Sequence, residues 1–261
     1  MDRQIQYINN TVVAINTFIA TLALSLIESF MLLVKDFSQI REIFISNFLE
    51  NLKRIVWSCL PISLLTVSVS AIVYSFHVAP EFNTRGLSVY LGGIVALALI
   101  REGAPVMGSL AIITQYCSGK TAEIGSMKIT EQLDAMKLAK VNPIAYLLLP
   151  MLVSGLVGFP LVIIVCTLVS LVINFIASHL LINISYQLYT TSISGAVIVK
   201  DIFLLIIKSS CFGFFSALIS YICGVLTVGG SKSVGSSTRL SVVINFALVV
   251  ILDYIITALW L

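Results

Sequence analysis

The sequence predicts an all-α integral membrane protein: an N-terminal interfacial helix, then five transmembrane helices, with one cytoplasmic helix between the second and the third. Three observations predict it. Of 261 residues, 59% are hydrophobic and only 10% charged. The mean hydropathy is +1.07. The hydrophobic residues fall in runs long enough to cross a bilayer core, which takes about 20 residues of helix. A soluble domain spends about a quarter of its residues on charge, so 15 basic and 12 acidic side chains cannot coat a water-facing shell of this size. A net charge of +3 is too small for a nucleic-acid surface, so no nucleic-acid partner is expected.

Taken in order, residues 11–34 are long enough to span, yet Thr17, Thr21, Ser25 and Glu28 recur at helical spacing on one face. A one-sided polar stripe suits a helix lying in the membrane interface, although a sixth span there is compatible with the charges. Residues 1–54 are therefore expected to form an N-terminal cytoplasmic or interfacial helical segment, and residues 55–261 one five-span domain. No removable signal peptide is expected, because the N-terminus lacks a short basic region leading into a brief apolar core and a small-residue cleavage site. The spans are read as Ile55 to Val78, Leu87 to about Tyr116, Ile144 to Ala177, Ile202 to Val228, and Leu240 to Leu261. Pro105, Pro150 and Pro160 are the expected kinks.

Lys and Arg favour cytoplasmic loops. With the N-terminus inside, Arg3, Lys35, Arg41, Lys53, Arg54, Lys120, Lys128, Lys137, Lys140, Lys232 and Arg239 fall on the cytoplasmic side, and only Arg85 and Lys200 outside. Arg101, Glu102, Lys208 and Asp253 lie within apolar spans, where an unpaired charge is costly. Arg101 and Glu102 are neighbours and point about 100° apart on a helix, so each takes its partner from another helix or a ligand; Lys208 with Asp253 is the favoured pair. Gly92-Gly93, Gly103-Ala104, Ser154-Gly155 and Gly158 permit close helix approach, within one subunit or between two.

Between the second and third spans, Lys120 to Asn142 carries dense charge of both signs, and Pro143 closes it. A helix here puts Ile129, Leu133 and Met136 on one apolar stripe, with Lys128, Glu131, Gln132, Asp134 and Lys137 polar. That element is either a solvated connection or a docking helix for a soluble partner. The five cysteines, Cys59, Cys117, Cys166, Cys211 and Cys223, are scattered singly with no CxxC pair. Neither a metal site nor a disulfide framework is implied, and no cofactor is expected.

The run Arg101-Glu102-Gly103-Ala104-Pro105-Val106, followed by Ala122-Glu123-Ile124-Gly125-Ser126-Met127, Thr130-Glu131-Gln132, Asp134-Ala135-Met136, Val141-Asn142-Pro143 and Leu149-Pro150, resembles the MlaE family of ABC-transporter permeases, the membrane subunits of MCE-type lipid transport systems. Gly235-Ser236-Ser237-Thr238-Arg239 and Leu252 to Leu259 resemble that family's ending. The chain departs from the pattern at Gln115-Tyr116-Cys117-Ser118, where the family has a Gly-Arg-x-Gly element, and at Met151, where an Arg often stands.

The resemblance implies a homodimeric permease of a bacterial inner membrane that moves phospholipid or a related lipid between that membrane and an MCE-domain protein on the periplasmic side. The coupling helix, about residues 123–142, would rest on a cytosolic ABC ATPase subunit through Glu123, Ile129, Glu131, Leu133, Asp134 and Met136. Arg101, Glu102, Lys208 and Asp253 would edge the lipid cavity or form buried pairs. The chain has no Gly-x-x-x-x-Gly-Lys-Ser/Thr loop, so it is read as a transport subunit without catalytic residues, ATP hydrolysis falling to a partner. An ion-coupled secondary transporter and a non-transporting scaffold are the competing readings, the first on the intramembrane charges, though neither inverted repeats nor paired broken helices are visible.

Overall fold

A computed structural model describes residues 16–18, 20–25, 27–29 and 37–260 of the chain, with side chains of the last stretch described from Phe44 onward. All regular structure among them is helical. Five helices are long and apolar enough to cross a membrane: α1 (Phe44–Thr84), α2 (Ser88–Ile129), α4 (Ile144–Ile182), α6 (Val199–Val225) and α7 (Ser231–Trp260). Two short helices join them, α3 (Gln132–Leu138) at the end bearing Lys120, Lys128, Lys137, Lys140 and Lys232, and α5 (Tyr186–Ala196) at the opposite end. The described N-terminal residues are helical. They bury Ser25 and Ser29, half-bury Thr21 and expose Thr17, Leu24, Ile27 and Glu28, so only the middle of the polar stripe is turned toward the protein. The flanks of that predicted helix, residues 11–15 and 30–34, and the predicted end of the fifth span at residue 261 lie outside the described residues.

Helix α4 is the central pillar, packed on α1 and on α6, with α7 laid against α6. At the α4–α6 crossing Gly155 and Gly213 face each other so closely that a Cβ on either would run into the other's carbonyl. Gly158 presses on Ile55 in the same way. Near the far end Gly92 and Gly93 receive Tyr189 and Ser192 of α5, and the Gly93 amide donates to Ser192 Oγ at 2.8 Å. These small-residue sites are thus spent on packing within the subunit. Helix α5 has no counterpart among the predicted elements. Ser185 caps its start, its hydroxyl accepting from the Leu188 amide, and Tyr189 anchors it by donating to Asn174 Oδ1 at 2.8 Å. Similar polar pins cross the other end of the bundle, where Thr121 donates to Ser241 Oγ at 2.9 Å and Asn245 to Ser220 Oγ at 3.1 Å.

The prolines act through the carbonyls they leave unpaired. A proline has no N–H for the carbonyl four residues earlier, and a wide turn is one way a helix accommodates the gap. Such π turns occupy Arg54–Ser58, Leu99–Gly103 and Ile144–Leu148, just before Pro61, Pro105 and Pro150. Two of the freed carbonyls are met by side chains from elsewhere: Asn47 Nδ2 donates to Tyr146 O at 3.0 Å, and Lys208 Nζ to Arg101 O at 2.8 Å. Pro160 differs from expectation, since it lies inside the uninterrupted helix Leu149–Ile182.

Candidate functional site

The intramembrane charges converge on one cluster. Lys208, fully buried on α6, donates to the Arg101 carbonyl at 2.8 Å, to Glu102 Oε2 at 3.0 Å and to Asp253 Oδ1 at 2.7 Å. An ammonium has three protons, and all three are used. The first acceptor exists because Pro105 cannot serve the Arg101 carbonyl, so the proline signal and the buried lysine are parts of one device. The hydroxyl of Thr257, one turn beyond Asp253, donates to Glu102 Oε1 at 3.1 Å. Arg101 turns the other way and meets Asp201, the guanidinium Nε and Nη2 both 2.8 Å from Oδ1. Asp201 is buried at the head of α6, where its second oxygen accepts the Ile198 amide at 2.9 Å.

The structure therefore brings together Arg101, Glu102, Lys208 and Asp253, and adds two residues not read from the sequence, Asp201 and Thr257. Asp201 carries a faint signal, an acid in the first turn of an apolar helix, which favours the helix dipole. Its distance in sequence from Arg101 hides the pairing. With Asp201 counted, three carboxylates face two cations. Lys208 lies about 14 Å and Asp253 about 10 Å inside the outer ends of their helices, at 1.5 Å rise per residue. At that depth the side chain of Arg101 is 36% exposed and that of Glu102 is 42% exposed. A cavity of about 280 Å³ adjoins them, lined by Leu97, Ala98, Leu204, Thr257 and Trp260 as well. Hydrocarbon cannot satisfy such groups, so this face opens onto water, a ligand or another protein surface.

At the lysine-rich end the predicted single helix over 123–142 is broken. Helix α2 runs to Ile129, the backbone turns left-handed at Glu131 (φ 60°), and α3 restarts at Gln132. The break destroys the common stripe. Leu133 is buried in the subunit's own core and Met136 packs against it, while Ile129 is half-buried. The apolar residues expected to be free for docking are thus largely covered by this chain, and the side chain that stands free is Leu138, 87% exposed. Glu131 is exposed. Asp134 lies between Lys128 at 3.3 Å and Lys137 at 3.4 Å, whose hydrogen bonds, that of Lys128 first, hold its carboxylate below the usual range. Glu123 is tied inward to Arg54 at 3.0 Å, which clamps α1 to α2, and to Lys120 at 3.1 Å, and Arg54 also pairs with Glu50 of its own helix at 2.7 Å. Among the described residues no group of three or more His, Cys, Asp or Glu is placed to hold a metal ion.

A family model described as "Permease MlaE" matches residues 48–259. The chain is 31% identical to the chloroplastic protein trigalactosyldiacylglycerol 1 of Arabidopsis thaliana over 81% of its own length, spanning 61% of that relative. It is 31% identical to a "Probable ABC transporter permease protein" of Synechocystis sp., covering 82% of this chain and 81% of that one. A protein of the same description from Rickettsia typhi is 27% identical over 83% of this chain and 84% of its own.

Proposed function

The chain belongs to the MlaE permease family of ABC-transporter permeases, and from that premise we propose that it moves phospholipid or a related lipid, as one half of a homodimer driven by a cytosolic ABC ATPase. The observation that carries the reading is the partial exposure of Arg101 and Glu102 at membrane depth. A second copy facing this cluster encloses a cavity that is apolar along most of its wall and carries a guanidinium at its edge, and that planar fork of donors suits a phosphate. The exposed apolar faces of α1 (Leu65, Val69) and α7 (Tyr254, Leu259) supply the flanking surface. A relative bearing the name of a galactolipid supports a lipid cargo.

In this reading ATP-driven closure of the ATPase pair moves the loop around α3, Leu138 seats in the ATPase, and the spans repack between two states that narrow the cavity. Lipid then passes to or from an MCE-domain protein at the opposite end, and the membrane is a bacterial inner membrane with the lysine-rich end in the cytoplasm. The test is mass spectrometry of lipids retained by the purified permease. Loss of bound phospholipid in Arg101→Ala combined with Asp201→Asn, which removes the carboxylate that Arg101 would otherwise leave buried and unpaired, supports the cavity role when dimer and melting temperature are unchanged. Normal lipid content in that variant removes it.

A further inference from the structure

A second cavity, of about 580 Å³, lies at the lysine-rich end, away from the charge cluster. Its volume falls within the roughly 300–1,000 Å³ of small-molecule sites. Ile222, Val225 and Leu226 of α6 and its trailing turn line its floor, and Lys128, Lys137 and Lys140 stand at its rim. The described N-terminal residues form the remaining side with Thr21, Leu24, Ser25 and Glu28. In that wall Leu24 and Ile27 are 61% and 55% exposed, Glu28 is exposed and Ser25 is buried, with Leu24 and Glu28 both lining the cavity. A segment with two large apolar side chains so exposed sits against lipid, and a cavity walled by leucine, serine and glutamate takes an occupant with both an apolar and a polar part.

We propose that this chamber binds one anionic phospholipid from the leaflet at the lysine-rich face, acyl carbons on the α6 floor and phosphate between the lysines. Three cations stand against Glu28 within the chamber. Asp134, which does not line the chamber, holds Lys128 and Lys137 only by long contacts of 3.3 and 3.4 Å, which an exposed pair yields cheaply to a phosphate. The balance selects a head group with net negative charge over a zwitterionic one. Basic pockets between spans near a membrane surface are suited to this recognition. The inference stands independently of the transport reading, because the chamber is walled by residues of one subunit and does not use Arg101.

The full chain, purified in detergent, is incubated with equal amounts of phosphatidylglycerol and phosphatidylcholine and examined by native mass spectrometry. The expected result is retention of phosphatidylglycerol over phosphatidylcholine by roughly tenfold, a modest share of the fivefold or so per lysine available near an anionic surface. Lys128→Gln, Lys137→Gln and Lys140→Gln combined should abolish the preference at unchanged melting temperature. Ile222→Trp, which fills the floor, should reduce both lipids. If the triple variant melts early, Lys140→Gln alone carries the test by a graded loss of preference. Equal retention of the two lipids by the wild-type chain overturns the proposal, as does an undiminished preference in the lysine variants. Displacement of phosphatidylglycerol by inorganic phosphate, with Ile222→Trp having no effect, also overturns it and points to a soluble phosphate ligand.

Discussion

Replacing Lys208 by Met removes the centre of the intramembrane cluster, and the structure sets the size of the effect. Three hydrogen bonds are lost at once, to Arg101 O, Glu102 and Asp253. Asp253, 18% exposed, is left as a largely buried carboxylate beside a second one. Glu102, 42% exposed, is partly solvated and contributes less. Deleting one partner of a buried ion pair costs about 3–5 kcal/mol; the exposure of Glu102 puts Lys208→Met near the lower end, about 3 kcal/mol. At roughly 2–4 °C per kcal/mol for a chain of this size, the melting temperature should fall by about 6–12 °C. The cysteines provide the assay. Cys59, Cys117, Cys166 and Cys223 are unpaired and buried, so a thiol-reactive fluorophore reports unfolding in a thermal ramp at fixed rate.

The triple variant Lys208→Met, Glu102→Gln, Asp253→Asn should recover most of that loss, because it removes the orphaned charges as well as the cation. A two-residue swap, Lys208→Asp with Asp253→Lys, would rescue an isolated salt bridge. Here it should fail, since an Asp at 208 faces the Arg101 carbonyl and Glu102, both acceptors. A shift under about 2 °C for Lys208→Met, less than 1 kcal/mol by the same conversion, would refute the reasoning, and so would full rescue by the swap.

Asn47→Ala should destabilise by about 1 kcal/mol by uncapping the Tyr146 carbonyl, and should cost less in a Pro150→Ala background, where an amide is restored; equal costs in a double-mutant cycle of melting temperatures would break the link between that proline and its cap. Gly213→Ala should sharply lower the yield of folded protein on size exclusion, because the new methyl meets the Gly155 carbonyl. Gly235→Ala, with open space around it, should elute as wild type. Leu133→Asp buries an uncompensated carboxylate in the permease core, a cost of several kcal/mol, and should lower its own melting temperature. Leu138→Asp should leave stability unchanged and abolish co-purification of the ATPase subunit; retained ATPase would move the docking surface off α3.

The five spans were legible because length alone decides them: about 20 consecutive apolar residues have no soluble use, and each predicted run lies largely within a membrane-length helix. The charges within those runs were legible one by one for the same reason, since each violates its surroundings. What spacing could not carry was everything set by a partner distant in sequence. Asp201 sits at a span's mouth, where an acid carries no signal of its own until Arg101 arrives from another helix. The stripe Ile129, Leu133, Met136 misleads because a 4–3 spacing looks the same in one helix as across a break at Glu131 between the end of α2 and the short α3, where no glycine announces the left-handed turn. Helix α5 was missed because a Tyr-, Thr- and Ser-rich segment makes no hydropathy signal, although Ser185 is a good N-cap. The mate for Gly92 and Gly93 therefore stayed unknown, and their close approach stood equally for a subunit interface. Pro105 signals a disturbance of the helix, but its consequence is larger. By denying the Arg101 carbonyl an amide it gave Lys208 its third acceptor, and so a backbone irregularity and an intramembrane charge, each a warning sign alone, satisfy one another.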